Sequence, residues 1–150
     1  MTLTPQKFRE AVLLFLFSTD FSQGYSDTVP LVMEELKTTK KNTDEAKLKA
    51  EFILTHVHDL DLLISKYSSA YDFHRIPYAE KNILRLAFFE LVVEKILHYK
   101  VIISEAIRLT RKFASREAGA FINALLDQYV KEYITNQDVS NPPSSNSSST

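Results

Sequence analysis

The chain has 150 residues, 45% hydrophobic and 25% charged, with 18 Lys and Arg against 19 Asp and Glu, 2 Gly, 5 Pro and no Cys. Such a length carries one domain with a real core. Two glycines are too few for the tight turns of a sandwich or barrel, or for a glycine-rich phosphate loop, so the composition points to an all-α protein.

The missing cysteines exclude a disulfide framework, thiolate zinc and a cysteine nucleophile, and suit a reducing compartment. A formal net charge of −1 advertises no polyanion partner for the molecule as a whole. Met1 to Lys7 has neither the basic region nor the cleavage site of a secretion signal, and no apolar run approaches the roughly 18 residues that span a bilayer. A soluble, cytoplasmic protein is expected.

Thr4-Pro5 starts a helix, since Thr can cap and Pro lacks an N–H that the first turn would leave unpaired. It should run to about Phe21. Its run from Val12 to Phe17 is apolar nearly all round. Such a helix is either central and covered on every side, or it offers Leu13 or Phe17 to another protein.

Ser22 to Asp27 reads as a loop, and Pro30 sits in the first turn of a short helix ending near Lys37. Asn42 with Glu45 fits a capping box that opens one long helix to about Lys66, with Leu48, Phe52, Ile53, Val57, Leu60, Leu63 and Ile64 on its apolar face. Residues 71–76 form a linker or single turn. Pro77 starts a helix whose apolar positions extend from Ile83 to Ile96. A shorter helix with Ile103, Ala106, Ile107 and Thr110 inward stops near Ala114, and Ser115 caps the last one, which buries Ala118, Phe121, Ile122, Leu125, Leu126, Tyr129 and Val130. From Asn136 the Ser, Asn and Pro-rich sequence has almost nothing to bury and reads as a disordered tail, 136–150.

No catalytic or metal constellation emerges. His56 and His58 are two apart, so on a helix they point about 200° away from each other and cannot grip one ion. Glu34-Glu35, Asp44-Glu45 and the pair Asp59 and Asp61 read as solvated faces and caps. The expectation is a non-enzyme without cofactor or metal.

Charge, however, is unevenly placed. Between Lys100 and Arg116 stand Lys100, Arg108, Arg111, Lys112 and Arg116 against Glu105 alone, a net of +4. Four of these could share one surface around a helix end and the next helix start, where backbone N–H groups also attract phosphate oxygens. Phe121 follows a turn later, and an aromatic beside cations suits base stacking in single-stranded RNA. The plain alternative is a solvated basic face with Phe121 in the core.

Three blocks carry a resemblance: Ala79-Glu80-Lys81-Asn82-Ile83-Leu84-Arg85-Leu86-Ala87-Phe88-Phe89-Glu90-Leu91, Val101-Ile102-Ile103-Ser104-Glu105-Ala106-Ile107-Arg108-Leu109-Thr110-Arg111-Lys112-Phe113, and Phe121-Ile122-Asn123-Ala124-Leu125-Leu126-Asp127. In order and spacing they resemble the C-terminal signature of the NusB family of bacterial transcription antitermination factors, and Arg9 to Asp20 resembles that family's opening helix. The resemblance implies two packed helical subdomains of about six to seven helices, roughly 1–70 and 71–135, and no catalysis. It implies two partners, the small-ribosomal-subunit protein NusE and the boxA RNA of nascent ribosomal transcripts, held so that RNA polymerase resists termination. On this basis Phe17 and Glu80 fall at NusE contacts, and Lys81, Arg85, Glu117, Phe121 and Asn123 at or beside RNA or partner contacts. Where the family often has an arginine-rich N-terminal stretch, this chain has only Lys7 and Arg9. Ala114 and Ala124 replace family glycines, and Tyr71 stands near a usual Trp. The alternative is a protein-binding or self-dimerising helical module with weak or no RNA specificity.

Overall fold

The computed structural model describes residues 2–21 and 28–134; the loop expected at 22–27 and the tail expected at 136–150 lie outside the described residues. Among the described residues there are seven α-helices and no strand: α1 Pro5–Phe21, α2 Thr28–Leu36, α3 Lys40–Thr55, α4 Val57–Tyr67, α5 Tyr78–Phe88, α6 Tyr99–Phe113 and α7 Ala118–Tyr129. A 3₁₀ turn, Phe73–Arg75, precedes α5, and π-helical turns Phe89–Glu94 and Val130–Ile134 extend α5 and α7. The all-α expectation holds. No helix among the described residues is long and apolar enough to cross a membrane.

Helix α1 begins where Thr4-Pro5 places it, with Thr4 Oγ1 accepting from the Lys7 N–H at 3.1 Å. It packs against α2, α3 and α5, and Ala11, Val12, Leu13, Phe15 and Leu16 are fully buried. The all-round apolar run thus belongs to a central helix, where each such Leu or Phe contributes roughly 1.5–3 kcal/mol.

Four local expectations are corrected. The helix at 40 is capped by Thr39, whose Oγ1 accepts from the Asn42 N–H at 3.2 Å, so Asn42 lies inside the first turn and is no cap. The expected long helix is two, broken at His56. There the Phe52 carbonyl, which should accept from the His56 N–H, instead takes the Thr55 hydroxyl at 2.6 Å with His56 Nδ1 at 3.1 Å, and the His56 N–H turns to Ile53 at 2.9 Å. Helix α3 buries Ala46, Ala50 and Ile53 and leaves Leu48 and Phe52, expected inside, exposed. At the end of α5 the π turn and Lys95, in the left-handed region at φ 56°, stop the helix, so Ile96 is 78% exposed rather than core.

Helix α6 buries Ala106 and Thr110 as its apolar pattern suggests, but not Ile103 and Ile107. Ile102, Ala106 and Leu109 are buried beside Glu105, while Ile103 and Ile107 are half-buried. The buried face therefore includes a carboxylate, Glu105, which is paired with Arg9 and Arg108. Helix α7 matches expectation: Ser115 Oγ accepts from the Ala118 N–H at 3.1 Å, and Ala118, Ile122, Leu125, Leu126, Tyr129 and Val130 are buried.

Candidate nucleic-acid and partner surfaces

Eight charges of alternating sign run through the junction of α1, α3, α6 and the first π turn. Glu94 meets Lys49 at 3.0 Å, Lys49 meets Glu90 at 3.7 Å, and Glu90 meets Arg9 at 3.0 Å. Arg9 reaches Glu105 at 3.5 Å, Glu105 holds Arg108 at 3.0 Å, and Glu10 takes Arg108 at 2.7 Å and Lys112 at 3.0 Å. Buried charges survive only when paired in this way. Burial opposes ionisation of Glu10, but the hydrogen bonds and charges of Arg108 and Lys112 outweigh it and hold its carboxyl below the usual range. Glu90 goes the other way, because burial raises it by more than Arg9 and Lys49 restore.

This network corrects part of the expected RNA surface. Arg9 is 6% exposed and bound to Glu90 and Glu105, so it faces the interior rather than RNA. Lys81 is buried with its ammonium over the Phe73 and Tyr78 rings, at 4.4 and 5.3 Å. Arg85 is clamped by both oxygens of Asp61, at 2.8 and 2.9 Å. Arg108 spends its guanidinium on Glu10, Glu105 and the Gln6 carbonyl. Lys7, Lys100, Arg111 and Arg116 are exposed, and no side chain among the described residues pairs with them. Lys112 stands between the two groups, half exposed while tied to Glu10.

Phe121 combines both readings made of it. It packs on the core, is only half-buried, and meets Tyr71 edge to face at 5.1 Å. Asn123 and Glu117 are exposed near it on and before α7. On the partner side Leu13 is fully buried and cannot touch another protein, because α1 is covered there. Phe17 remains half-exposed, packed edge to face on Phe113 at 5.8 Å. Both line a groove of about 450 Å³ with Leu14, Leu31, Val32 and Leu36. Glu80, half-buried at the start of α5, has its carboxyl pushed up by burial.

A sequence profile of the NusB family matches residues 6–131. This chain belongs to the NusB family. Transcription antitermination protein NusB of Chlamydia pneumoniae is 33% identical over 134 residues, covering 89% of this chain and 84% of that protein. Its counterpart in Thermodesulfovibrio yellowstonii is 30% identical over 140 residues, covering 86% and 93%. Among solved structures, T. maritima NusB superposes with a TM-score of 0.73 at 28% identity, over 94% of this chain and all of that one. A chain in the crystal structure of antitermination factors NusB and NusE in complex with double-stranded RNA gives 0.71 at 26% identity, over 85% and 96%.

For a NusB-family chain, two features escaped the residue pattern. The acidic half of the network, Glu10, Glu90, Glu94 and Glu105, carries one hint: Arg9-Glu10 is a charged pair at the head of a helix apolar nearly all round, and burial there requires pairing. Tyr71, on the turn after α4, reaches Phe121 across 50 residues of sequence, and no local spacing announces that contact.

Proposed function

We propose that this NusB-family chain is a transcription antitermination factor. It is an adaptor without chemistry of its own that pairs with NusE and holds boxA-type RNA of nascent ribosomal transcripts, keeping RNA polymerase termination-resistant. The observation that carries the RNA half is a group of exposed cations that the internal network leaves free, most of them near one another in the chain: Lys7 on α1, Lys100 and Arg111 on α6, and Arg116 before α7, with Lys112 beside them. Each phosphate they neutralise would release counterions and give a salt-dependent affinity. Arg108, though paired, holds Lys112's neighbour Glu10 in place. Phe121 and Asn123 would meet bases, whereas Phe17, Glu80 and Glu117 would meet NusE. The two halves, about 1–70 and 71–135, would act as one body because α1 packs against helices of both.

A titration of boxA RNA against a scrambled strand, with and without NusE at moderate salt, tests this reading. A preference for boxA that NusE strengthens is expected. Equal affinity for both strands in the presence of NusE overturns it.

A further inference from the structure

One end of the charge network is Lys112, and its partner there is a buried carboxylate. The Glu10 side chain is 4% exposed. Its Oε2 takes the Arg108 guanidinium at 2.7 Å and its Oε1 takes the Lys112 ammonium at 3.0 Å. Arg108 is itself held by Glu105 at 3.0 Å, so Glu10 is anchored from the inside. The Lys112 side chain is 50% exposed, and it lines the groove of about 450 Å³ together with Glu10 and the exposed Lys7. Four carboxylates, Glu10, Glu90, Glu94 and Glu105, face four cations, Arg9, Lys49, Arg108 and Lys112. The network is therefore balanced only while Lys112 belongs to it.

We infer that Glu10 limits the strength of RNA binding by withholding Lys112: the buried carboxylate and an RNA phosphate compete for one ammonium, and the carboxylate keeps it. The inference rests on the RNA reading above, and it adds a positioning residue that governs affinity without touching RNA. The two competitors differ in what they lose. A phosphate without Lys112 stays hydrated and keeps its counterions, whereas the nearly sealed Glu10 Oε1 would lose a donor that water cannot readily replace. The carboxylate 3.0 Å from the ammonium also offsets the pull of Lys112 on any phosphate outside. Lys7 stands three residues before Glu10, on the same face of α1, and Arg111 is next to Lys112 in the chain. Neither has such a partner among the described residues, so phosphates meet these cations first.

The test uses the full chain with NusE and a short single-stranded boxA-type RNA, with affinity measured over a salt series. Glu10→Gln keeps an oxygen for Arg108 and removes the charge that holds Lys112. It should tighten RNA binding roughly fivefold at low salt, the size of one exposed charge pair. It should also steepen the dependence of log affinity on log salt by about 0.7, one further phosphate on a single strand. Loss of a merely structural ion pair weakens binding or leaves it alone, so the sign separates the two roles. Lys112→Gln should cost the Glu10→Gln variant roughly fivefold more than it costs the wild type. In the wild-type complex, the NMR signal of the Lys112 ammonium should move less on RNA addition than that of Lys7. That comparison needs no variant and decides the matter should Glu10→Gln lose its cooperative melting transition. If the folded Glu10→Gln variant binds RNA no tighter, or if Lys112→Gln costs the same in both backgrounds, the inference falls, and the RNA reading stands as long as Arg111→Glu weakens binding. If Glu10→Gln alters NusE binding and leaves RNA affinity intact, the pair serves the partner groove and the inference falls. If the wild type binds no RNA in any combination, the RNA reading fails and takes the inference with it.

Discussion

Glu10 and Glu90 sit four ion pairs apart in one network yet shift in opposite senses, and their difference can be measured. A carboxyl whose folded pKa lies below its ordinary 4.5 stabilises the fold above that value and loses the contribution as pH falls through the folded pKa. Glu10 is of this kind. Glu90, raised, contributes below 4.5 and loses that contribution as pH rises through its folded pKa. Glu10→Gln should therefore cost about 1–2 kcal/mol at neutral pH, two charge-assisted hydrogen bonds discounted for the partial exposure of Lys112 and Arg108. Glu90→Gln should cost less. In denaturant titrations over a pH series, the gap between wild type and Glu10→Gln should close on acidification, while that of Glu90→Gln should widen; parallel curves would contradict the opposite shifts. The free cations behave differently again. Arg111→Glu should leave stability within about 0.5 kcal/mol of wild type, as surface changes do, while lowering RNA affinity and flattening its dependence on salt. Nothing in the local spacing of Arg108 and Arg111 separates the internal member from the free one. What separates them is which face of α6 meets Glu10, and that is a property of packing.

At the scale of elements, starts were more legible than stops. Thr4-Pro5, Pro77 and Ser115 mark their helices because caps act within one turn. The break at His56 depends on side chains competing for one carbonyl, and the end of α5 on a single left-handed residue. Lys95 at φ 56° carries strain that glycine would not. Lys95→Gly should raise stability by about 0.5–1 kcal/mol, seen as a higher melting temperature, provided the π turn before it is retained; a fall would show that the Lys95 side chain contributes more than its backbone costs. Leu48, Phe52 and Ile96 were read as core from periodicity and are exposed, because a period counts apolar positions without saying where the helix breaks or which face finds a neighbour.

Across the whole molecule α1 is the organising element, buried by α2, α3 and α5 along its middle, exposed in its first turn at Pro5, Gln6 and Lys7, and half-open again at Phe17. Leu13→Asp should therefore prevent folding, reported by loss of the cooperative thermal transition, since it places an unpaired charge where exposure is zero. Phe17→Asp should keep that transition and weaken NusE binding first, measured by calorimetry; collapse of the fold instead would place Phe17 in the core. The sequence by itself determined the helical class, most helix starts, the central apolar helix and the family resemblance, because glycine content, caps and periodicity act over a few residues. Only the tertiary structure decided which cations are free, that Leu13 is sealed while Phe17 is not, and that Tyr71 faces Phe121. Those outcomes depend on contacts between residues far apart in the chain, where burial selects the partner and leaves the remaining charge and aromatic surface for RNA and protein.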